Sequence, residues 1–158
     1  MATLHLLCGK IASGKSTLAA RLAEAPNTVR LSEDLWLARL YKDQMHSVAD
    51  YVRCAALLRE AIGPHVQALL RLGVNVVLDF PANTPANRQW MRGLFEASGA
   101  AHVLHVLDVP DETCKARLRQ RNAAGEHDFA ASDEQFELIS RYFSVPTAEE
   151  GFALSVSA

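Results

Sequence analysis

An α/β fold, a parallel sheet of five strands covered by helices on both faces, is predicted by three observations. Short apolar runs of β type alternate with longer stretches in which leucine, alanine and valine recur at helical spacing. A glycine-bearing segment, Gly9-Lys10-Ile11-Ala12-Ser13-Gly14-Lys15-Ser16, separates the first such run from the first helical stretch. The chain has 158 residues, of which 49% are hydrophobic and 22% charged, enough to bury one core without staples. A single domain over residues 1–158 is therefore expected.

The candidate strands are Thr3 to Cys8, Thr28 to Ser32, Asn75 to Phe80, His102 to Asp108, and Phe152 to Ser157. Each is an apolar run too short for a helix that must bury a whole face. Lys15 to Ala25 reads as a helix that opens on the glycine loop and stops before Pro26-Asn27. Glu33 to Tyr41 and Ser47 to Leu72 keep helical spacing, with Gly63-Pro64 expected to break or kink the second. A helix from Pro85 to Ala97 ends near Gly99, and Asp111 to Arg121 follows with Asp111 as N-cap after Pro110. Asn122 to Ser132 lacks periodicity and reads as a mobile loop before a last helix, Asp133 to Phe143.

Composition excludes several classes. Three cysteines, Cys8, Cys54 and Cys114, are far apart and outside any CxxC pattern, against a disulfide framework or a zinc site and in keeping with a reducing cytoplasm. His102 and His105 fall on opposite faces of one strand, so they make no metal site together. The N-terminal segment has no basic region ahead of its apolar run and reads as a buried strand, not a signal peptide. No stretch reaches the roughly 18 apolar residues of a membrane span, so a soluble protein with no membrane partner is expected. A formal net charge of −2 argues against a nucleic acid partner. Nothing in the sequence speaks to oligomeric state.

The segment from Gly9 to Ser16 satisfies G-x-x-x-x-G-K-[ST] in full, between a strand and a helix as that motif requires. Its physics is that of a phosphate cradle, the three-layer P-loop NTPase arrangement. Glycines let the backbone wrap an anion with its N–H groups at a helix N-terminus. Gly9, Ala12, Ser13, Gly14, Lys15, Ser16 and Thr17 are the expected contacts to ATP. Lys15 would reach the β- and γ-phosphates and Ser16 would ligate Mg²⁺. Asp79, ending the run Val76-Val77-Leu78, would sit at the sheet edge where ligands bind and serve as the second metal residue, although an acid there also suits a turn.

Glu33 and Asp34 directly follow the second strand. Either carboxylate could accept a substrate hydroxyl's proton during phosphoryl transfer, and both also suit the first turn of a helix behind Ser32. Arg117 and Arg121, four apart on one helical face, would bring positive charge over the γ-phosphate, while Arg119 points elsewhere. A solvated basic face is the other reading of that pattern. Acceptor contacts are expected from the stretch beginning at Trp36 and from Arg88.

Together GKIASGKST, VVLDF, the arginine pair ahead of the loop and the closing VPTAEEGF resemble the small P-loop kinase-like ATPases. That group is similar to chloramphenicol phosphotransferase, zeta toxins and the kinase domain of phage polynucleotide kinase. The resemblance spans nearly the whole chain, with only the P-loop specific by itself. It implies a lid over about residues 117–133, transfer of the γ-phosphate of ATP to a hydroxyl, and an acid after the second strand as general base, here Glu33 or Asp34. It also implies that Pro146 and Thr147 border the adenine. The expected function is an ATP-dependent phosphotransferase acting on a small hydroxylated acceptor such as an antibiotic, a sugar or a nucleotide-sugar. An ATP-hydrolysing switch and a polynucleotide 5′-hydroxyl kinase are the alternatives.

Overall fold

The computed structural model describes residues 1–125 and 131–157. Its five strands are β1 (Thr3–Cys8), β2 (Thr28–Ser32), β3 (Asn75–Pro81), β4 (Ala101–Leu107) and β5 (Leu154–Ser157). They form one parallel sheet in the order β2-β3-β1-β4-β5. The α/β architecture with a five-stranded parallel sheet is thus as the alternating pattern predicts.

The helices are α1 (Lys15–Leu22), α2 (Glu33–Tyr41), α3 (Val48–Arg71), α4 (Pro85–Ser98), α5 (Asp111–Ala124) and α6 (Asp133–Ser140). Alternation along the strands sorts the core into two layers. Leu4, Leu6, Val76, Leu78, Leu104 and Val106 face the main core with α3 and α4, whereas Leu7 and Val77 meet Ala19 of α1. On the first layer His102 stacks on Phe95 with centroids 3.9 Å apart, and on the second His105 shares a 3.1 Å hydrogen bond with His5. The two histidines point to opposite faces, as their spacing requires.

Helix α3 runs unbroken through Gly63-Pro64 for 24 residues, contrary to the expected break. Its buried stripe of Cys54, Leu58, Ile62, Val66 and Leu70 spans the proline, so packing on both sides offsets the one missing N–H bond. Gly63 lies against Leu94 and Trp90, where an added Cβ would sit in ordinary contact, 3.5 Å from the leucine. Helix α5 begins differently from expectation: Pro110 is the N-cap, and Asp111 lies in the first turn, where it bonds Lys10 at 2.7 Å. The helix also runs on to Ala124, so the first three residues of the stretch expected as a loop are helical, and residues 126–130 lie outside the described ones. β5 starts at Leu154, not Phe152, because Gly151 turns the chain at φ 73° and Phe152 packs edge-on against Phe95 and His102.

Because β1 lies between β3 and β4, the chain leaves it toward β2 on one side while β4 extends the sheet on the other. This is a topological switch point, and such sheets open a crevice at the carboxyl end of that strand. The glycine loop follows β1 directly.

Candidate active site

The loop between β1 and α1 carries two residues in the left-handed region. Ala12 has φ 62° and Gly14 φ 103°, the kind of backbone from which anion-binding concavities are built. An alanine in that region costs on the order of 1 kcal/mol, strain typical of a binding loop. Gly9 is required for space: a Cβ there would lie 2.4 Å from Ser13 Oγ and 3.2 Å from Leu107 Cβ. The start of the loop is clamped by Asn83, which accepts from Gly9 N at 3.0 Å and donates to Gly9 O at 2.9 Å.

The groups expected to meet phosphate are turned onto the protein. Lys15 Nζ donates to Gly9 O at 2.6 Å and Lys10 O at 2.9 Å. Burial lowers its proton affinity, opposed by the nearby charges of Asp79 and Asp34. Arg117 reaches the carbonyls of Ser13 at 3.4 Å and Ala12 at 3.5 Å. Buried Ser13 Oγ and Arg121 Nε have no hydrogen-bond partner among the described residues, which leaves both able to meet a ligand. Helices α5 and α6 are joined by Arg119 to Asp133 and Lys115 to Glu137, and their shared core of Cys114, Leu118 and Phe136 rests on Ile11 and Ala12. The arginine-bearing helix therefore sits directly on the loop, and Arg119 does point elsewhere.

Ser16 and Thr17 are exposed and line an open groove of about 680 Å³ with Arg21 and Arg30. Asp79, its side chain only 8% exposed, pairs through Oδ2 with Arg30 at 2.9 Å. Among the described residues no three His, Cys, Asp or Glu side chains converge on a metal site. One carboxylate and one hydroxyl still fit Mg²⁺, which binds through one or two protein oxygens and completes its shell with phosphate and water.

The two acids after β2 part company. Asp34 lies close enough to Lys15 and Arg121 for its charge to favour the protonated form of both. Glu33, at 1% exposure, turns under the surface, where it accepts a hydrogen bond from Tyr51 and pairs with Arg59 at 3.7 Å. Trp36 is 38% exposed on α2. Arg88 is a correction to expectation: it is fully buried and cannot present itself to an acceptor. Its guanidinium is spent on Glu150 at 2.8 Å, Ser144 O at 2.8 Å and Ala82 O at 3.0 Å. Pro146 is buried and lines a cavity of about 430 Å³ with Lys10, Pro110, Phe143 and Val156. Thr147 is not among the lining residues; its backbone N–H instead donates to Glu150 Oε2 at 2.9 Å, closing the turn at Ala148–Glu150.

The AAA domain family model matches residues 4–146. The chain belongs to this family. No curated protein sequence matches it. Among solved structures, this AAA domain is similar to a presumed kinase from Chloroflexus aurantiacus (18% identity, TM-score 0.79, 98% of this chain and 86% of that one). It is similar also to a sugar kinase from Janibacter sp. (18%, 0.68, 99% and 85%) and to the Mycobacterium tuberculosis APS kinase (19%, 0.58, 98% and 88%). At these identities the likeness is one of fold, the α/β P-loop NTPase fold. No helix among the described residues is long and apolar enough to cross a membrane.

Four residues of this AAA domain escape a sequence reading: Arg30, Tyr51, Arg59 and Asn83. Each acts through a partner far along the chain, and only the fold brings them together. Burial, the dominant cause, pushes the Glu33 carboxyl up to about 7 from a usual 4.5, against the lowering effects of Tyr51 and Arg59. A raised folded value means the contribution to stability is fully present below pH 4.5 and lost as pH rises through about 7. The loss is of order 3 kcal/mol. In urea titrations at pH 5 and pH 8, Glu33→Gln should therefore gain on the native protein at the higher pH. Equal pH dependence in the two would show that Glu33 ionises freely.

Proposed function

We propose that this AAA domain is an ATP-dependent phosphotransferase that moves the γ-phosphate to a hydroxyl of a small molecule. The observation that carries the reading is that Asp34 lies near enough to both Lys15 and Arg121 for its charge to favour their protonated forms against the effect of burial. A candidate base, a phosphate-binding lysine and an arginine within electrostatic reach of one another are what transfer to a hydroxyl needs.

In this reading the loop N–H groups and Lys15 hold the β- and γ-phosphates, and Arg117 and Arg121 neutralise charge on the transferring group. Ser16 and Asp79 would hold Mg²⁺, which would supply charge neutralisation of the phosphate oxygens when bound. Asp34 takes the acceptor proton as the hydroxyl oxygen bonds to the γ-phosphorus, while the bond from that phosphorus to the bridging oxygen breaks and ADP departs. Exposed Trp36, two residues along the same helix, contacts the acceptor. The cavity beside Pro146 receives the adenine. A cytoplasmic location, where ATP is abundant, suits this reading.

The test is a panel of hydroxylated compounds, sugars, nucleosides and aminoglycoside-type antibiotics, incubated with ATP and Mg²⁺ and read by mass spectrometry for an added phosphoryl group. A product should form with the native protein. Asp34→Asn should reduce that turnover by about 10²- to 10⁴-fold, the contribution typical of a general base. Nucleotide hydrolysis that no acceptor stimulates and that Asp34→Asn leaves unchanged would instead favour a switch.

A further inference from the structure

The acid beside the candidate base is walled off from solvent, and its surroundings are polar. Glu33 is the first residue of α2, so its backbone and that of Asp34 belong to one helical turn. That start is otherwise lightly held: Ser32 Oγ accepts from Leu35 N at 3.4 Å, near the limit for a hydrogen bond. Helix α3 supplies what capping does not. Tyr51 and Arg59 lie eight residues apart on one face of α3, and both turn to Glu33 across the buried Ala55 between them. Arg59 is held in turn over the Trp90 ring of α4, its guanidinium carbon 5.9 Å from the centroid. The carboxylate on α2 is thus met by two side chains of α3, one of them backed by α4.

We propose, resting on the phosphotransferase reading, that Glu33 does not touch the acceptor but forms with Tyr51 and Arg59 a buried brace that positions Asp34 against the P-loop. Three observations carry it. Glu33 is 1% exposed, so no substrate proton can reach it as the molecule stands. Its Oε1 is committed to the Tyr51 hydroxyl. Among the described residues its Oε2 has no hydrogen bond, and it stands 3.7 Å from Arg59, an ion-pair separation that keeps the carboxylate between the two α3 residues. A carboxylate so fixed transmits any movement of α3 to the next residue, and a base displaced by even 1 Å loses much of its effect.

The charged and titratable groups around Glu33 are Tyr51 and Arg59 on α3, Asp34 on its own helix and Asp79 on β3. Removing the Tyr51 hydroxyl should therefore disturb Asp34 without touching the nucleotide loop.

The experiment compares Tyr51→Phe, Glu33→Gln and Glu33→Ala with the native protein. With an acceptor from the panel, Glu33→Gln keeps the bond to Tyr51 and should retain turnover within about threefold, whereas Glu33→Ala should lose about 10- to 100-fold. Tyr51→Phe should fall between them, and KM for ATP should stay within about twofold in all three. Glu33→Gln as inactive as Asp34→Asn would overturn the proposal, because Glu33 would then be the base. A change confined to KM for ATP would overturn it too.

A second arm needs no acceptor. Carbon-13 spectra of aspartate-labelled protein should show the Asp34 carboxyl resonance shifted in Tyr51→Phe, while thermal unfolding confirms that the variant is folded. An unmoved Asp34 resonance in folded Tyr51→Phe would sink the brace. If the panel yields no product, the phosphotransferase reading fails, while this arm still decides whether Glu33 positions its neighbour.

Discussion

Arg88→Met should lower the unfolding free energy by about 3–5 kcal/mol, the cost of breaking a buried charge pair by removing one partner. The size follows from how much the guanidinium does. It has no solvent exposure, and all three of its nitrogens donate: Nε and one Nη to Glu150, the other Nη to the carbonyls of Ala82 and Ser144. Methionine fills a similar volume but offers no donor, so it leaves two carbonyls short of a partner and a carboxylate without its cation. Arg88 is the first cause holding the Glu150 carboxyl below its usual range. Glu150 is 24% exposed and can draw on water once freed, which places the loss toward the lower end of the range.

The same substitution should reach the site indirectly. Ser144 N donates to Asn83 O at 2.8 Å, and the Asn83 side chain clamps Gly9 at the entrance of the P-loop. Urea unfolding of Arg88→Met beside the double variant Arg88→Met/Glu150→Gln checks the account. The double variant should recover part of the loss, because the orphaned carboxylate is removed. A loss under about 1 kcal/mol in the single variant would mean that the pair is solvated and contributes little.

Arg88 also marks the boundary of what could be read from the sequence. Strands β1 and β2 and helix α2 are legible to the residue, because a run of apolar residues with a turn or cap at each end is local information. The P-loop is legible for the same reason: its eight residues are contiguous, and each has a separate physical duty. Pro64 misleads because the penalty for proline is local, while the stripe from Cys54 to Leu70 that overcomes it requires a sheet to pack against.

The site's polar pairs are another matter. Arg88 with Glu150, Arg30 with Asp79, and Gly9 with Asn83 are separated by 62, 49 and 74 residues. The last two meet because β3 pairs with both β2 and β1 in a defined register, which places Ser32 opposite Asp79. Glu33 and Asp34 look interchangeable as neighbouring acids. The fold separates them, since consecutive helical residues face about 100° apart, and α3 covers only one of those directions.

Lys15→Met is the second large effect expected, and it should separate function from stability. In the folded chain Lys15 Nζ spans the loop, donating to the carbonyls of Gly9 and Lys10. Those carbonyls keep other partners when it is removed, because Asn83 Nδ2 donates to Gly9 O at 2.9 Å and Ser13 N donates to Lys10 O at 3.1 Å. Burial works against the lysine's charge in the folded state, so a methionine of similar length removes an unfavourable contribution along with two hydrogen bonds. The unfolding midpoint should stay the same or rise. Phosphate binding, in contrast, loses the cation whose ammonium spans the loop, and ATP turnover should fall by about 10²- to 10³-fold, as when a preorganised donor is removed from a developing charge. Calorimetry with a non-hydrolysable ATP analogue, run beside thermal unfolding, distinguishes the two effects. Binding at native affinity in a folded Lys15→Met protein would mean that the lysine remains on the carbonyls of Gly9 and Lys10 when nucleotide is present, and that the loop's backbone N–H groups alone hold the phosphates.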